Sequence, residues 1–536
     1  MYDFPPAAVP VTLEYVVVVH LLEKRRMRLF TEGELRLAEA ISRLAYCNPF
    51  LPERIEHERA ALGAEFDDRN AHWNVQTGAT QKPRNVVTLV QRAEELLDNV
   101  RDRAAQNSQP VADGEAALFE DVLLFVSFDR LGFGEIQAGP LGDAPAALFD
   151  KLRLRVRPYL QLGPTRLGLT DQMPHALACF YQLHRAFQNT FHYIIGFSRA
   201  AIQLRAAVWQ SIFTHDMRRY RRTLFSRMAD FTTLVTGPSG TGKELVAQAI
   251  GQSRYVPFDP KSHVFVGDST EFFFPLNLSA LSPTLIESEL FGHKRGSFTG
   301  ASADRAGWLE VCPPRGTVFL DEIGDLDPGI QVKLLRVLHD RTFSRLGDTK
   351  TRQFQGKIIA ATNRDLSAQI RDGSFREDFY YRLCSDLIVV PSLADRLADS
   401  PGELRQLIAH LVFRTVGEDA PDVALEVEDW INQHLGIDYA WPGNIRELEQ
   451  CVRNVLIRKQ YRPAHVGLPP TNGDLHRSLA DDISRGKLTI DELLRRYCTL
   501  VYAQTGSFEA TARRLKIDRR TVKAKVDRQL LDGLIH

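Results

Sequence analysis

The sequence predicts a multidomain chain: a mainly helical N-terminal region, an α/β domain of the phosphate-loop (P-loop) type, and a C-terminal all-α helix-turn-helix unit. Three observations carry this. The 536 residues are too many for one hydrophobic core, and at 44% hydrophobic and 25% charged they have ordinary globular composition, so about three or four domains are expected. Near residue 195 the texture changes, and apolar strand-like runs begin to alternate with helical patterns and glycine-rich turns. A small basic helical unit closes the chain after a Pro/Gly/Asn-bearing linker.

Composition sets further bounds. Lys+Arg and Asp+Glu both total 67, so any nucleic-acid surface must be local. The six cysteines, Cys47, Cys179, Cys312, Cys384, Cys451 and Cys498, form no CxxC pair, which argues against a zinc site or a disulfide framework and fits a reducing, cytoplasmic setting. The apolar run "YVVVVHLL" at 15–22 is too short to span a bilayer and no basic residue precedes it, so neither export nor a membrane anchor is expected.

In the N-terminal region Thr31 is placed to cap a helix reciprocally with Glu34, and Leu37, Ile41 and Leu44 follow at helical spacing. Pro83 introduces a second stripe through Val86, Val90, Ala93, Leu97 and Val100. Residues 67–85 and 106–115 read as loops, and 117–128 is ambiguous between strand and helix. His175, His184 and His192 read as core or interface histidines, because no carboxylate or cysteine is placed to complete a metal site.

The best strand candidates are 231–237, 316–324 and 356–363. "GPSGTGKE", Gly237, Pro238, Ser239, Gly240, Thr241, Gly242, Lys243 and Glu244, follows the first of these and opens a helix, the context a phosphate loop needs. Its N–H groups can face phosphates while Lys243 reaches the β- and γ-phosphates. Glu244 stands where the general motif has a Ser or Thr. The second strand ends in Asp321 and Glu322, an arrangement in which one carboxylate supports Mg²⁺ and the next polarises the attacking water. The third ends in Thr362 and Asn363, where a polar side chain can touch the γ-phosphate. Together these residues describe Mg²⁺-dependent ATP hydrolysis.

At this point the residues resemble a family, the bacterial enhancer-binding AAA+ activators that work on sigma-54 RNA polymerase. The likeness covers roughly 190–536 and rests on "GPSGTGKELVAQAI", "ESELFGHKRGSFTGA", "GTVFLDEIGDL", "QVKLLRVL", "AATNRDL", "FREDFYYRL" and "WPGNIRELE", in family order. The resemblance implies an AAA+ α/β core at 191–396, a helical lid at 397–460, a linker at 461–485 and a Fis-type helix-turn-helix at 486–536, behind a regulatory region at 1–190. It makes "GKE" the normal end of the phosphate loop. Gly296, Ser297, Phe298, Thr299, Gly300 and Ala301 look like the family's GAFTGA loop, which grips the sigma factor, with Ser297 in place of alanine. Gly296 and Gly300 permit sharp turns, Phe298 offers an apolar anchor and Thr299 a small polar contact.

By the same resemblance Asn277 would hold the catalytic Glu322, and Arg376 and Arg382 would reach a neighbouring subunit's ATP site. That requires a homo-oligomeric ring, expected to be a hexamer although no motif fixes the number. Arg446 would sense nucleotide from the lid, and 339–354 would be the second pore-facing loop. Residues 213–228 and 255–273 look longer than the usual family connections, and "LADRLADS" replaces the familiar "LRER". The N-terminal region lacks the acidic pocket of a phosphorylation receiver, and its inducing signal is not legible.

Residues 507–526 read as helix, turn, helix, with Ala510, Leu515 and Val522 apolar. Over 507–530 eight cations, Arg513, Arg514, Lys516, Arg519, Arg520, Lys523, Lys525 and Arg528, oppose three carboxylates, Glu509, Asp518 and Asp527. Asp518 would cap the recognition helix, Arg519, Arg520 and Thr521 would approach bases, and Arg513, Arg514, Lys523 and Lys525 would add to the basic face toward double-stranded DNA. Lys516 takes a turn position usually held by glycine. The expected function is a cytoplasmic activator that binds an upstream DNA sequence and uses ATP in a ring to open sigma-54 RNA polymerase holoenzyme promoter complexes. Alternatives are an AAA+ remodelling ATPase with another client and a DNA-binding regulator that only senses nucleotide.

Overall fold

Five strands, β1 (Thr233–Thr236), β2 (Phe273–Asn277), β3 (Thr317–Asp321), β4 (Lys357–Thr362) and β5 (Asp386–Val389), form a parallel sheet in the order β5-β1-β4-β3-β2. The computed structural model describes residues 27–68, 83–133, 144–267, 272–463, 479, 482–483 and 488–527. The apolar run at 15–22 lies outside these, as do most of the loop at 67–85 and of the linker at 461–474. Strand residues alternate between two buried faces. Val235, Phe319, Ile359, Ala361 and Ile388 join one apolar cluster, while Leu234, Val318, Leu320, Ile358 and Ala360 join another. A parallel sheet covered on both sides needs this continuous apolar composition, which is why β1, β3 and β4 are visible as strands in the sequence, whereas the edge strands β2 and β5, with several exposed or half-buried residues, are not.

Ahead of the sheet come seven principal helices: α1 (Glu32–Tyr46), α2 (Glu53–Leu62), α3 (Arg84–Ala105), α4 (Asp113–Arg130), α5 (Pro145–Val156), α6 (Leu169–Tyr193) and α7 (Arg199–Phe213). The Thr31 capping box forms, with Thr31 N–H donating to Glu34 Oε2 at 2.7 Å and Glu34 N–H to Thr31 Oγ1 at 3.4 Å. The ambiguous run 117–128 lies within α4, where Phe119, Val122, Leu123, Leu124 and Val126 are all buried; a helix buried round most of its circumference shows no clear period. Trp209 and Ile212 of α7 pack in the same cluster as Val235 and Ile388, so the helical region continues onto one face of the sheet.

The two unusually long connections both turn toward the N-terminal helices. Residues 217–224 make a short helical turn and then a π-helical turn at Tyr220–Leu224. Within 255–273 lies a small antiparallel hairpin, Phe258–Asp259 with Val264–Phe265, whose Phe258 joins the N-terminal core and whose Phe265 ring stacks on Tyr181 of α6 at 4.0 Å.

Next in the chain are α8 (Lys243–Gly251), α9 (Pro283–Phe291), α10 (Pro328–Asp340) and α11 (Glu377–Leu383), and then α12 (Leu393–Asp399), α13 (Glu403–Val416), α14 (Pro421–His434) and α15 (Asn444–Arg458). The chain forms two compact units, 1–452 and 453–536. The second contains α16 (Ile490–Thr505), α17 (Phe508–Leu515) and α18 (Arg519–Lys525).

Candidate functional site

The sheet delivers the chemistry at the carboxyl ends of its central strands. Beyond β1 the chain turns through Gly237, Gly240 and Gly242, all at positive φ (150°, 78° and 93°), and Gly242 is the N-cap of α8. A Cβ on Gly240 would lie 2.3 Å from Gly443 O, and one on Gly237 2.6 Å from Val390 O, so only glycine fits. Thr241 Oγ1 donates to Pro238 O at 2.9 Å and ties the loop across. Lys243, 7% exposed, folds back to donate to Gly237 O at 3.1 Å and Pro238 O at 3.3 Å. Burial lowers its pKa, and Glu322 and Asp321 pull the other way. A buried ammonium whose described partners are two loop carbonyls, beside a helix N-terminus, fits a phosphate ligand.

Asp321 closes β3 and accepts the N–H of Glu322 at 3.0 Å. Glu322 sits at φ 56°, ψ 49°, a left-handed conformation that a non-glycine residue adopts at a cost and that tends to mark functional positions. Asn363, exposed just beyond β4, donates its N–H to Glu322 Oε2 at 3.3 Å. The structure therefore brings Lys243, Asp321, Glu322 and Asn363 to one end of the sheet.

Asn277 departs from the expectation that it holds Glu322. Its Oδ1 accepts Ser279 N–H at 3.0 Å and Ser279 Oγ–H at 2.8 Å, because it ends β2 and must cap the 3-10 turn that follows; the described partner of Glu322 is Asn363 instead. Arg376 forms a forked pair with Asp378 (3.0 and 2.8 Å) on the exposed start of α11, and Arg382 is exposed on the last turn of the same helix. Arg446 Nη1 donates to Ser239 Oγ at 3.2 Å, so α15, in the segment expected to be the lid, meets the phosphate loop.

Two positions escaped sequence reasoning. Asn444, at φ 55° and 3% exposed, donates to Ser239 O at 2.9 Å and accepts Leu393 N–H at 2.8 Å, pinning the lid to the loop. Gln331, wholly buried on α10, donates to Leu326 O at 2.9 Å and Ser374 O at 3.0 Å and accepts Arg376 N–H at 2.9 Å. A fully satisfied buried glutamine thus fixes the backbone that bears Arg376. The only signals were an asparagine after Pro-Gly and a polar residue on an apolar helix face.

The GSFTGA segment lies in a hairpin whose base pairs Gly292–His293 with Arg305–Ala306. Gly296 N–H donates to Ala301 O at 2.9 Å and Ala301 N–H to Phe298 O at 3.0 Å, which closes the tip. Thr299 and Gly300 are exposed, whereas Ala301 is buried. Phe298 is half-buried, its ring edge-on to buried His293 at 5.0 Å; the apolar anchor is stowed rather than bare. Part of 339–354, the expected second loop, lies against it: Leu346 O accepts Lys294 N–H at 2.9 Å and Ser297 Oγ–H at 3.0 Å. The single Ser297 hydroxyl proton is shared with the nearer Lys294 O of the same hairpin, so Ser297 ties the tip first within the hairpin and only secondarily to Leu346, contacts that alanine would lack.

In the C-terminal unit Asp518 caps α18 through Arg520 N–H at 2.7 Å, Lys516 takes the left-handed turn (φ 54°), and Val522 is fully buried while Ala510 and Leu515 are half-buried. Arg513, Arg514, Arg520 and Lys523 are exposed and Thr521 half-exposed. Arg519 pairs with Glu509 at 3.1 Å and Lys525 with Asp491, so these two are partly engaged within the unit. Of the histidines, His175 bonds Tyr255 OH and Arg221 O, both at 2.8 Å, and burial lowers its pKa; buried His184 lies against Phe133. Among the described residues no group of three or more His, Cys, Asp or Glu could hold a metal, and no helix is long and apolar enough to cross a membrane.

Residues 213–388 match the sigma-54 interaction domain family. The Nif-specific regulatory protein of Herbaspirillum seropedicae is 38% identical over 454 residues, 82% of this chain and 72% of that protein. The chain belongs to the sigma-54-dependent transcriptional activators. Two further relatives of this activator are the Nif-specific regulatory protein of Azotobacter vinelandii, 44% identical over 43% of this chain, and the transcriptional regulatory protein ZraR of Escherichia coli O157:H7, 38% identical over 56%. The match spans 40% of the Azotobacter protein and 64% of ZraR.

Proposed function

We propose that this activator hydrolyses ATP at the end of the sheet and spends the energy on moving the 292–306 hairpin against sigma-54 bound to RNA polymerase. The observation that supports the reading most is the convergence of the phosphate loop, Asp321/Glu322 and Asn363 with a GSFTGA hairpin in one compact unit. Mg²⁺, when bound through Asp321 and ATP, would neutralise charge on the β- and γ-phosphates. Lys243 swings from its two carbonyls to the phosphates, Glu322 takes a proton from the attacking water, and Asn363 orients Glu322 through its N–H. Asn277, its Oδ1 held by Ser279, would contribute through its Nδ2–H donors. Arg376 and Arg382, exposed on α11, serve a neighbouring subunit in a homo-oligomeric, hexameric ring, and Arg446 with Asn444 carries the nucleotide state into the lid. The α17–α18 unit holds upstream double-stranded DNA through Arg513, Arg514, Arg520, Thr521 and Lys523, with smaller contributions from Arg519 and Lys525. The reading places the protein in the cytoplasm, with the N-terminal region restraining or triggering assembly.

The test is ATP-dependent open-complex formation on a sigma-54 promoter. Wild type opens DNA. Thr299→Ala hydrolyses ATP without opening it. Glu322→Gln loses hydrolysis by about 10²–10³-fold and opens nothing. Hydrolysis by wild type with no opening of any sigma-54 complex would mean a motor with another client.

A further inference from the structure

Residues 214–230 join the helical region to β1, and one buried carboxylate holds them there. Asp121 of α4 is 2% exposed. It accepts Ser42 Oγ–H at 2.8 Å and Tyr46 OH at 2.7 Å from α1, and Arg218 Nη2–H at 2.5 Å from the joining segment. Arg221 Nη2 stands 3.9 Å from its other oxygen, and both guanidiniums lie over the Tyr46 ring, at 5.1 and 5.9 Å. Without these cations a buried carboxylate would be strongly disfavoured. Yet the network is one bond short, since the buried Arg221 Nε finds no hydrogen-bond partner among the described residues. A partly satisfied buried network lies nearer its open state than a complete one.

The same segment is irregular where it is held. It makes the π-helical turn at Tyr220–Leu224, a geometry that is rare and concentrates at functional positions. Tyr220 OH donates to Gln182 Oε1 at 2.7 Å, and His175 Nε2 bonds Arg221 O, so α6 clamps the turn from a second side.

From there a chain of contacts runs to the hairpin. Arg341 Nη2 donates to Ala229 O and lies 3.4 Å from Asp230 Oδ1. Arg341, left-handed at φ 59°, is the C-cap of α10 and immediately precedes the loop 342–353. Within that loop Leu346 N–H donates to Gly292 O at 2.9 Å, and Leu346 O takes Lys294 N–H and Ser297 Oγ–H.

We propose that Asp121 anchors a latch: with Arg218 and Arg221 seated on it, the segment 214–230 is fixed, and through Arg341 the loop 342–353 and the GSFTGA hairpin are held together. A signal that separates α1 and α4 from Arg218 frees both loops at once. The inference rests on the hairpin being the client-contacting element, but its test needs no client.

Backbone hydrogen exchange on the full-length protein reads it out, with Arg218→Gln, which keeps a hydrogen-bond donor toward the buried Asp121 while removing the charge, and with Arg341→Gln. Arg218→Gln is expected to speed exchange at 217–228 and also, by about fivefold or more, at 292–301 and 342–353, while the sheet strands keep their protection. In the double variant the loops exchange no faster than in the faster single variant. Acceleration confined to 217–228 and α1, or spread evenly over the sheet, overturns the latch. Loops released as expected in a protein that opens no sigma-54 promoter leave the latch standing and sink the client assignment.

Discussion

The phosphate loop and the GSFTGA hairpin are both glycine turns, yet their glycines meet opposite surroundings. A Cβ on Gly240 would strike Gly443 O at 2.3 Å, whereas one on Gly296 or Gly300 would meet nothing within 4 Å. In the first, glycine is required by space and by φ together; in the second, by φ alone (80° and 103°). The nucleotide loop is built into the lid, so a change in what it holds must be felt by Asn444 and Arg446. The hairpin tip is free on its outer side and tied at its base, which suits a part that moves against something outside the chain.

The comparison can be broken by experiment. Gly240→Ala should be the most damaging change, costing about 3 kcal/mol and abolishing ATP binding, since carbonyl and lid backbone must both move; thermal unfolding and nucleotide titration read this. Lys357 tests the packed layer in another way. Buried at the start of β4, with its Nζ–H donating to Phe231 O at 2.8 Å, its ammonium is pulled by burial down to about 7. Between that value and the ordinary lysine pKa of about 10.4 the folded chain binds fewer protons than the unfolded one, so stability rises with pH across the window. Urea unfolding at pH 7 and pH 10 should show Lys357→Met losing a rise on the order of 3 kcal/mol relative to wild type. Gly300→Ala should be mildest, about 1 kcal/mol, with ATP hydrolysis intact. Equal losses for Gly240→Ala and Gly300→Ala would erase the distinction between crowded and open turns.

Much of the site was readable because its chemistry is local. Asp321, Glu322 and Asn363 sit at or just past the ends of strands whose apolar runs mark them, Lys243 opens the helix after the glycine loop that follows another such strand, and the closing helical unit announces itself through Asp518, Val522 and a run of cations. What was not readable depends on distant partners. Phe298 reads as an apolar anchor until His293 is found beside it, Asn277 reads as the keeper of Glu322 until the Asn363 N–H is found on that carboxylate, and Gln331 is silent until three partners from separate turns converge on it.

The sequence by itself determined the three central strands, the phosphate loop and the paired carboxylates, because these follow from residue type at short spacing, and its motifs carried the family resemblance. Only the tertiary structure decided what the two long connections do. Asp121 and Arg218 are 97 residues apart, and His175 and Tyr255 are 80 apart. No local pattern encodes such pairs; they exist because a buried charge or ring nitrogen must find its partner wherever the packed chain supplies one.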